Sequence, residues 1–563
     1  MDQKIKLGDL FVQKSLITQE QLDQALTEQK KTGEKLGAIL VSRGFIIEDV
    51  LLNFLSEQLK IPLIDLENYE LDPDTVKMIV EPYARRYHAI ALQKQSDALL
   101  VGMADPLDMN AVDEISSLLQ QPIKLALVKD SDLLRALDLM YRRTEEISSF
   151  AEELDKELGA PSFALADLAA DEGQIDAPVI KLIQSLFEDA VQVNASDIHI
   201  EPDEKILRIR LRIDGILHEQ IVKEKSIAPA LALRLKIMAG LNIAEKRLPQ
   251  DGRFNIRVRN RVIDVRLSTL PTQYGESVVM RLLDQSAGIL NLNQVGMPEK
   301  LLKEFRKLLK SPHGIILVTG PTGSGKTTTL YGALNELNEE GKKIITVEDP
   351  VEYRLPRINQ VQINHKLSLD FARVLRTALR QDPDIILVGE MRDKETASVA
   401  IRAALTGHLV LSTLHTNDSA SSAMRLMDME VEGFLVAATL RGVLAQRLVR
   451  RICEKCKTKH ELTDAEKIWI ENIKGEKEGR DEFYCGAGCV FCNQTGYKGR
   501  IGVFELLELD ATMMEALRVN NPTEFFKLAS NKLKGNLLAD NALKEAESGT
   551  TTVSEAMRIA GEV

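Results

Sequence analysis

The stretch Gly320-Pro321-Thr322-Gly323-Ser324-Gly325-Lys326-Thr327-Thr328 decides how this chain is read. It follows the apolar run Ile315–Val318 and precedes the helical pattern Thr-Thr-Leu-Tyr, which gives a G-x-x-x-x-G-K-[ST] loop its strand–loop–helix setting. Glycines let consecutive backbone N–H groups turn inward as an anion nest, and the next helix adds its positive end. Lys326 then reaches the β- and γ-phosphates, and the Thr327 hydroxyl is offered to Mg²⁺. The stretch predicts a nucleoside triphosphate site.

Further apolar runs at Lys343–Val347, Ile385–Val388 and Leu409–Leu411 alternate with helical patterns, which predicts a mainly parallel sheet. In such a sheet the carboxyl ends of neighbouring strands converge on the nucleotide. Three acids or histidines fall at those ends: Glu352 in Thr346-Val-Glu-Asp-Pro-Val-Glu, Glu390 in Asp384-Ile-Ile-Leu-Val-Gly-Glu, and His415 in Gly407-His-Leu-Val-Leu-Ser-Thr-Leu-His-Thr-Asn-Asp. The acids are suited to orienting water or helping to hold Mg²⁺. His415 is either a γ-phosphate sensor or a hydrogen-bonding strut.

A module over 177–287 precedes this one. Leu207-Arg-Ile-Arg-Leu-Arg-Ile alternates with period two, so Arg208, Arg210 and Arg212 share one strand face, and Asp214-Gly215 supplies a turn. Arg247 and Arg253 follow nearby. Guanidinium groups suit polyphosphate through their fixed fork of donors. The alternative is an exposed basic strand paired with surface acids.

The paired knuckles Cys453-Glu-Lys-Cys456 and Cys489-Val-Phe-Cys492 are separated by residues 457–488. Four thiolates in this arrangement fit a closed, structural Zn²⁺ site with no catalytic part for the metal. Cys485 is left over as a spare thiol.

The N-terminus repeats with an offset of 29 residues, from Lys6 to Lys35, as two units over 6–29 and 35–58. Thr18 and Gln21 are spaced as a capping box ahead of Leu22 and Leu26, with Leu51 and Leu55 in the matching places of the second unit. Residues 61–143 read as a small α/β module, with a strand at Ala98–Met103, then Asp105-Pro-Leu-Asp108 and a helix from Ala111. Residues 144–176 are acidic and rich in Ser, Ala and Gly, which predicts a linker.

Composition narrows the function classes. A net charge of -12 and 4% aromatics argue against bulk nucleic-acid capture and against a base-stacking platform. A DNA-translocating ring is thereby disfavoured. No apolar run approaches the roughly 18 residues of a membrane span, and Met1-Asp-Gln-Lys lacks a signal peptide's apolar core. The expectation is a cytoplasmic chain, held at a membrane by protein partners.

Together these motifs resemble the assembly ATPases of type II secretion and type IV pili. The most specific pieces are Gly320–Tyr331, Val347-Glu-Asp-Pro-Val-Glu-Tyr and Gly407–Asp418. The resemblance implies an α/β multidomain chain: a RecA-like P-loop core over 288–563, a PAS-like α/β domain before it that lends arginines to ATP, and a homohexameric ring. It implies that Glu352 positions or deprotonates the attacking water and that Glu390 lies near Mg²⁺. The cysteine insert, at about 450–500, matches the zinc module of the assembly branch, so pilus extension is expected rather than retraction. Type II protein secretion is the second expectation, with an inner-membrane platform protein as partner in either case.

The tandem units over 1–60 resemble the cyclic-di-GMP-binding domain of the mannose-sensitive haemagglutinin (MSHA) type of pilus ATPase. The matching positions are Lys6, Leu7, Gly8, Leu22, Leu26 and Gln29, then Lys35, Leu36, Gly37, Leu51, Leu55 and Gln58. Asp108 is added as a residue that closes over the ligand or caps a helix. Lys6 and Lys35 stand where that pattern has Arg, and Lys keeps the charge but loses the planar fork. A docking domain without nucleotide is the alternative.

Overall fold

The computed structural model describes residues 11–14, 16–32, 36–66, 69, 71–95, 98–140, 144–158, 178–258, 261–284, 291–475, 482–492 and 494–560. Lys6, Leu7, Gly8 and Lys35 lie outside the described residues, as does most of the acidic stretch. Met1–Arg142 is the body of one compact unit, and Arg143–Ala487 with Thr495–Val563 makes up the other.

In the first unit the tandem repeat becomes helices Gln19–Thr32, Leu36–Ser42 and Glu48–Leu59. Thr18 and Gln21 close the expected capping box: Thr18 N donates to Gln21 Oε1 at 2.8 Å and Gln21 N to Thr18 Oγ1 at 3.3 Å. Phe11, Ile17, Leu22, Ile39, Leu40, Leu51 and Phe54 share one core, whereas Leu26 is exposed. A Cβ on Gly37 would stand 3.2 Å from Leu51 Cδ2, so a larger residue would need that leucine to give by a few tenths of an ångström. The module that follows is a sheet of β1 (Ala89–Lys94), β2 (Leu99–Met103) and β3 (Ile123–Leu127), antiparallel then parallel. Asp108 caps the helix Met109–Leu119, accepting from Ala111 N at 3.1 Å.

The second unit opens with a correction. Acidic composition predicts a linker over 144–176, yet Thr144–Leu158 is a helix. Ile147, Ala151 and Leu154, at i, i+4 and i+7, are fully buried in the same core as the helix Pro178–Gln192. Three apolar positions on one stripe suffice to seat a helix whose other faces carry the charge.

That core underlies a six-stranded antiparallel sheet of β4 (Asp197–Pro202), β5 (Leu207–Ile213), β6 (Ile216–Val222), β7 (Gln250–Val258), β8 (Arg261–Thr272) and β9 (Gly275–Asp284), in the order β6-β5-β4-β9-β8-β7. Asp214 and Gly215, both at positive φ, join β5 to β6 as the sequence predicted.

A second sheet carries the phosphate loop. Its strands are β10 (Gly314–Thr319), β11 (Ile344–Glu348), β12 (Asn359–Gln362), β13 (Ile385–Val388), β14 (Leu409–Leu414), β15 (Leu440–Ile452) and, after the insert hairpin β16 (Lys457–His460) and β17 (Phe483–Gly486), β18 (Tyr497–Glu508). The order is β12-β11-β13-β14-β10-β15-β18, and every neighbouring pair is parallel except β15 with β18. Helices cover both faces, which buries every residue of β10.

Leu154→Ala tests the corrected linker. It should lower stability by about 2–5 kcal/mol, the range for a truncated core Leu. Urea unfolding followed by circular dichroism would show it, whereas a solvated linker would move the midpoint little.

Candidate functional site: a phosphate loop on a parallel sheet

The loop leaves β10 at Gly320, where the backbone turns to φ 146°. A Cβ there would sit 2.4 Å from the Gln446 carbonyl oxygen of β15, so only glycine lets the chain pass. Gly325 opens the helix Lys326–Leu337 at φ 87°, and a Cβ there would meet Gln446 Nε2 at 2.8 Å. Gln446 also takes a buried hydrogen bond from Thr329 Oγ1 at 2.8 Å. The loop is therefore clamped between β15 and its own helix.

Two groups in it are poised for an anion. Lys326 Nζ donates to the Gly320 and Pro321 carbonyls at 2.7 and 2.9 Å, ligands that a phosphate oxygen would replace. Burial pushes this lysine down to about 8, against the opposing pull of Glu390. Ser324 Oγ is buried and has no hydrogen-bond partner among the described residues, which fits a donor aimed at phosphate. Thr327 and Thr328 are exposed at the start of the helix.

The carboxyl edge of the sheet brings the predicted acids together. Glu390, two residues past β13, pairs with Arg392 at 2.6 Å, and His415 Nε2 stands 3.5 Å from its Oε2. Burial, with Lys326 nearby, pushes the His415 ring below the usual histidine range. His408, in contrast, is bonded through Nδ1 to the Ala403 carbonyl at 2.9 Å, as a strut between helix and strand. Thr319 and Thr416 hydroxyls zip the ends of β10 and β14 at 2.5 Å.

Glu352 lies beyond β11 and is gripped from the preceding domain. Arg266 Nη1 and Nη2 of β8 donate to its two carboxylate oxygens at 3.1 and 2.5 Å. A cleft lined by Asp197, Arg253, Arg266, Arg281, Pro350 and Gln362 runs along this contact. The arginines singled out from sequence hold other partners: Arg210 bonds Glu201 at 2.7 Å, Arg212 lies 3.6 Å from Asp197, and Arg253 bonds buried Asp264 at 2.6 Å. Arg247 stands against Glu245 at 2.9 Å, in full solvent. Sequence reading missed Arg266. Its only local signal is the period-two step Asp264-Val-Arg266 in a strand of mixed character.

The four cysteines also converge. Single Sγ atoms of Cys453, Cys456, Cys489 and Cys492 all lie within 4.8 Å of one another. Cys489 N donates to Cys492 Sγ at 3.2 Å, which holds the second pair of sulfurs close together. The donor set fits structural Zn²⁺. Cys485 sits apart on β17, beside the Thr458 hydroxyl at 3.5 Å.

A phosphate loop clamped on a parallel sheet, with acids at its carboxyl edge, defines a P-loop nucleoside triphosphatase. The profile of the Type II/IV secretion system protein family matches residues 172–558, and that of the MshEN domain matches residues 59–147. The chain is 39% identical to the type IV pilus assembly ATPase PilB of Myxococcus xanthus, over 98% of each chain. It is 43% identical to the type II secretion system ATPase E of Vibrio cholerae, over 81% of this chain and 91% of that one. Among solved structures, the Legionella pneumophila ATPase DotB shares the fold with a TM-score of 0.50 and 23% identity, over 68% of this chain and 95% of that one. The chain belongs to the Type II/IV secretion system protein family, and it is a P-loop ATPase. Among the described residues no helix is long and apolar enough to cross a membrane.

Two outcomes follow from this geometry. With Lys326 at about 8, against an ordinary 10.5, the free protein's lysine is neutral between those values, while bound triphosphate favours the charged form. Nucleotide binding should therefore take up a proton in that window and weaken as pH rises through it. Titration calorimetry in buffers of different ionisation enthalpy reads the uptake directly. Elemental analysis should find about one zinc per chain, lost in Cys453→Ser and kept in Cys485→Ser.

Proposed function

We propose that this chain works as a homohexameric ring that hydrolyses ATP to assemble an MSHA-like type IV pilus. The carrying observation is that the loop, Glu390, His415 and Glu352 stand on one sheet edge, with Glu352 reached by an arginine of the preceding domain. Lys326 exchanges the Gly320 and Pro321 carbonyls for phosphate oxygens, and Ser324 adds a donor. Thr327 and Glu390 are the residues that would hold Mg²⁺, which neutralises phosphate charge when bound. Glu352 orients the attacking water and takes its proton, and His415 reports the γ-phosphate. Arg266 is the guanidinium of the preceding domain that reaches the site, while Arg210, Arg212 and Arg253 would exchange the acids of their own sheet for phosphate when ATP draws that domain in. ATP would draw that domain onto the loop and hydrolysis would release it, so that the ring turns an inner-membrane platform protein from the cytoplasmic side.

Likeness to the pilus relative over nearly the whole of both chains is compatible with pilus assembly, although a type II secretion relative is matched over an equal span at 38% identity. Higher identity to the type II secretion ATPase over a shorter stretch favours protein secretion as the second reading. The N-terminal units are the proposed receiver of cyclic-di-GMP, which would activate the ring. Leu22 and Leu51 belong to their core, whereas exposed Leu26 and Gln58 are open to a ligand.

Glu352→Gln should lower kcat by roughly 10²–10⁴, the span of a lost general base, with nucleotide affinity kept. A steady-state ATPase assay with and without cyclic-di-GMP, beside a calorimetric titration of that ligand, checks both halves. Unchanged turnover in Glu352→Gln rejects the hydrolytic assignment, and absence of titration heat rejects the receiver.

A further inference from the structure

Behind the phosphate loop lies a buried polar group that phosphate binding alone does not account for. Tyr331, on the second turn of the helix Lys326–Leu337, is 2% exposed, and Glu348, at the end of β11, is 4% exposed. The Tyr331 hydroxyl donates to Glu348 Oε2. Glu348 Oε1 accepts from Thr346 Oγ1 at 2.5 Å and from Gln360 Nε2 at 3.3 Å. The tyrosine oxygen, its proton thus committed, accepts the backbone N–H of Glu352 at 3.2 Å. Gln360 holds the next stretch of the same loop, donating to the Tyr353 carbonyl at 2.9 Å and accepting from Leu355 N at 2.7 Å.

A buried carboxylate is costly unless satisfied, and a Phe–Leu pair would fill this space more cheaply. The phenol joins the phosphate-loop helix that carries it to the backbone of the candidate base. Burial and the Glu348 charge hold its proton on oxygen well above the ordinary tyrosine range, so the direction of donation is fixed. Direction matters, because a phenol that gives its proton to Glu348 offers only lone pairs to Glu352 N.

We propose that Tyr331, oriented by Glu348, is a positioning residue that sets the Glu352 carboxylate at a fixed place relative to the phosphates. It touches neither water nor nucleotide and acts through the backbone of Glu352. A shift of about 1 Å in a reacting group costs about 100-fold in rate. The inference rests on Glu352 being the water-activating carboxylate.

The test is a double-variant cycle on the full-length protein, with kcat from ATPase assays and Kd from a fluorescent ATP analogue. Tyr331→Phe keeps the ring and should lower kcat at least tenfold while Kd stays within twofold. In a Glu352→Gln background the same change should lower the residual rate less than twofold, because the group it positions is already lost. Thr346→Val, which removes a donor from Glu348 without touching the Glu352 loop, should leave kcat within twofold and so reports mere loss of a buried bond. If Tyr331→Phe does not fold, the Tyr331→Phe/Glu348→Leu pair takes its place, with the same expected loss.

Turnover of Tyr331→Phe within twofold of the parent overturns the inference. So does a Kd that rises as far as kcat falls, or an undiminished effect in the Glu352→Gln background. Parental turnover in Glu352→Gln alone marks the other failure, that of the base assignment itself.

Discussion

The nucleotide site depends on one close approach, that of Gly320 to the backbone of β15. A side chain at this position would overlap the Gln446 carbonyl, so the loop and the strand are in contact with no space left between them. β10 is paired in parallel with β14 on one side and β15 on the other, so it cannot retreat from that contact. Glycine in the loop thus meets two demands at once. It gives the backbone its anion-cradling turn, and it lets the loop lie flat on the sheet that fixes it.

Around that contact the polar groups are sorted by partner. Arg210, Arg212 and Arg253 are tied to acids of their own sheet, which makes them parts of a charged face rather than loose cations. Arg266 is shared between domains. The cysteine insert grows from the ends of β15 and β18, and Arg450 there lies 3.9 Å over the Tyr497 ring and donates to buried Glu555 at 2.8 Å. The C-terminal helix Val553–Ala560 is pinned to the sheet by that carboxylate.

Much of this was legible in the residues. The apolar runs, the glycine spacing and the cysteine pairs are local patterns with a local physical cause, and the parallel strands, the loop and the thiol cluster followed them. The capping box at Thr18 was equally plain. Composition misled over 144–158, because an average over charged residues hides the single stripe of Ile147, Ala151 and Leu154. Arg266 and the Tyr331–Glu348 pair were not legible for a different reason. Their partners stand 86 and 17 residues away, and only the register of β8 and β11 brings them together.

The grip of Arg266 on Glu352 has a consequence for how water reaches the acid. Each oxygen of that carboxylate accepts one guanidinium N–H, which leaves one in-plane lone pair on each still open. While the neighbouring domain rests in this pose, a water bound by the acid must use those remaining positions. The guanidinium that holds the acid thus also fixes the side from which its water must arrive, and one residue couples the stance of a domain to the placing of a solvent molecule.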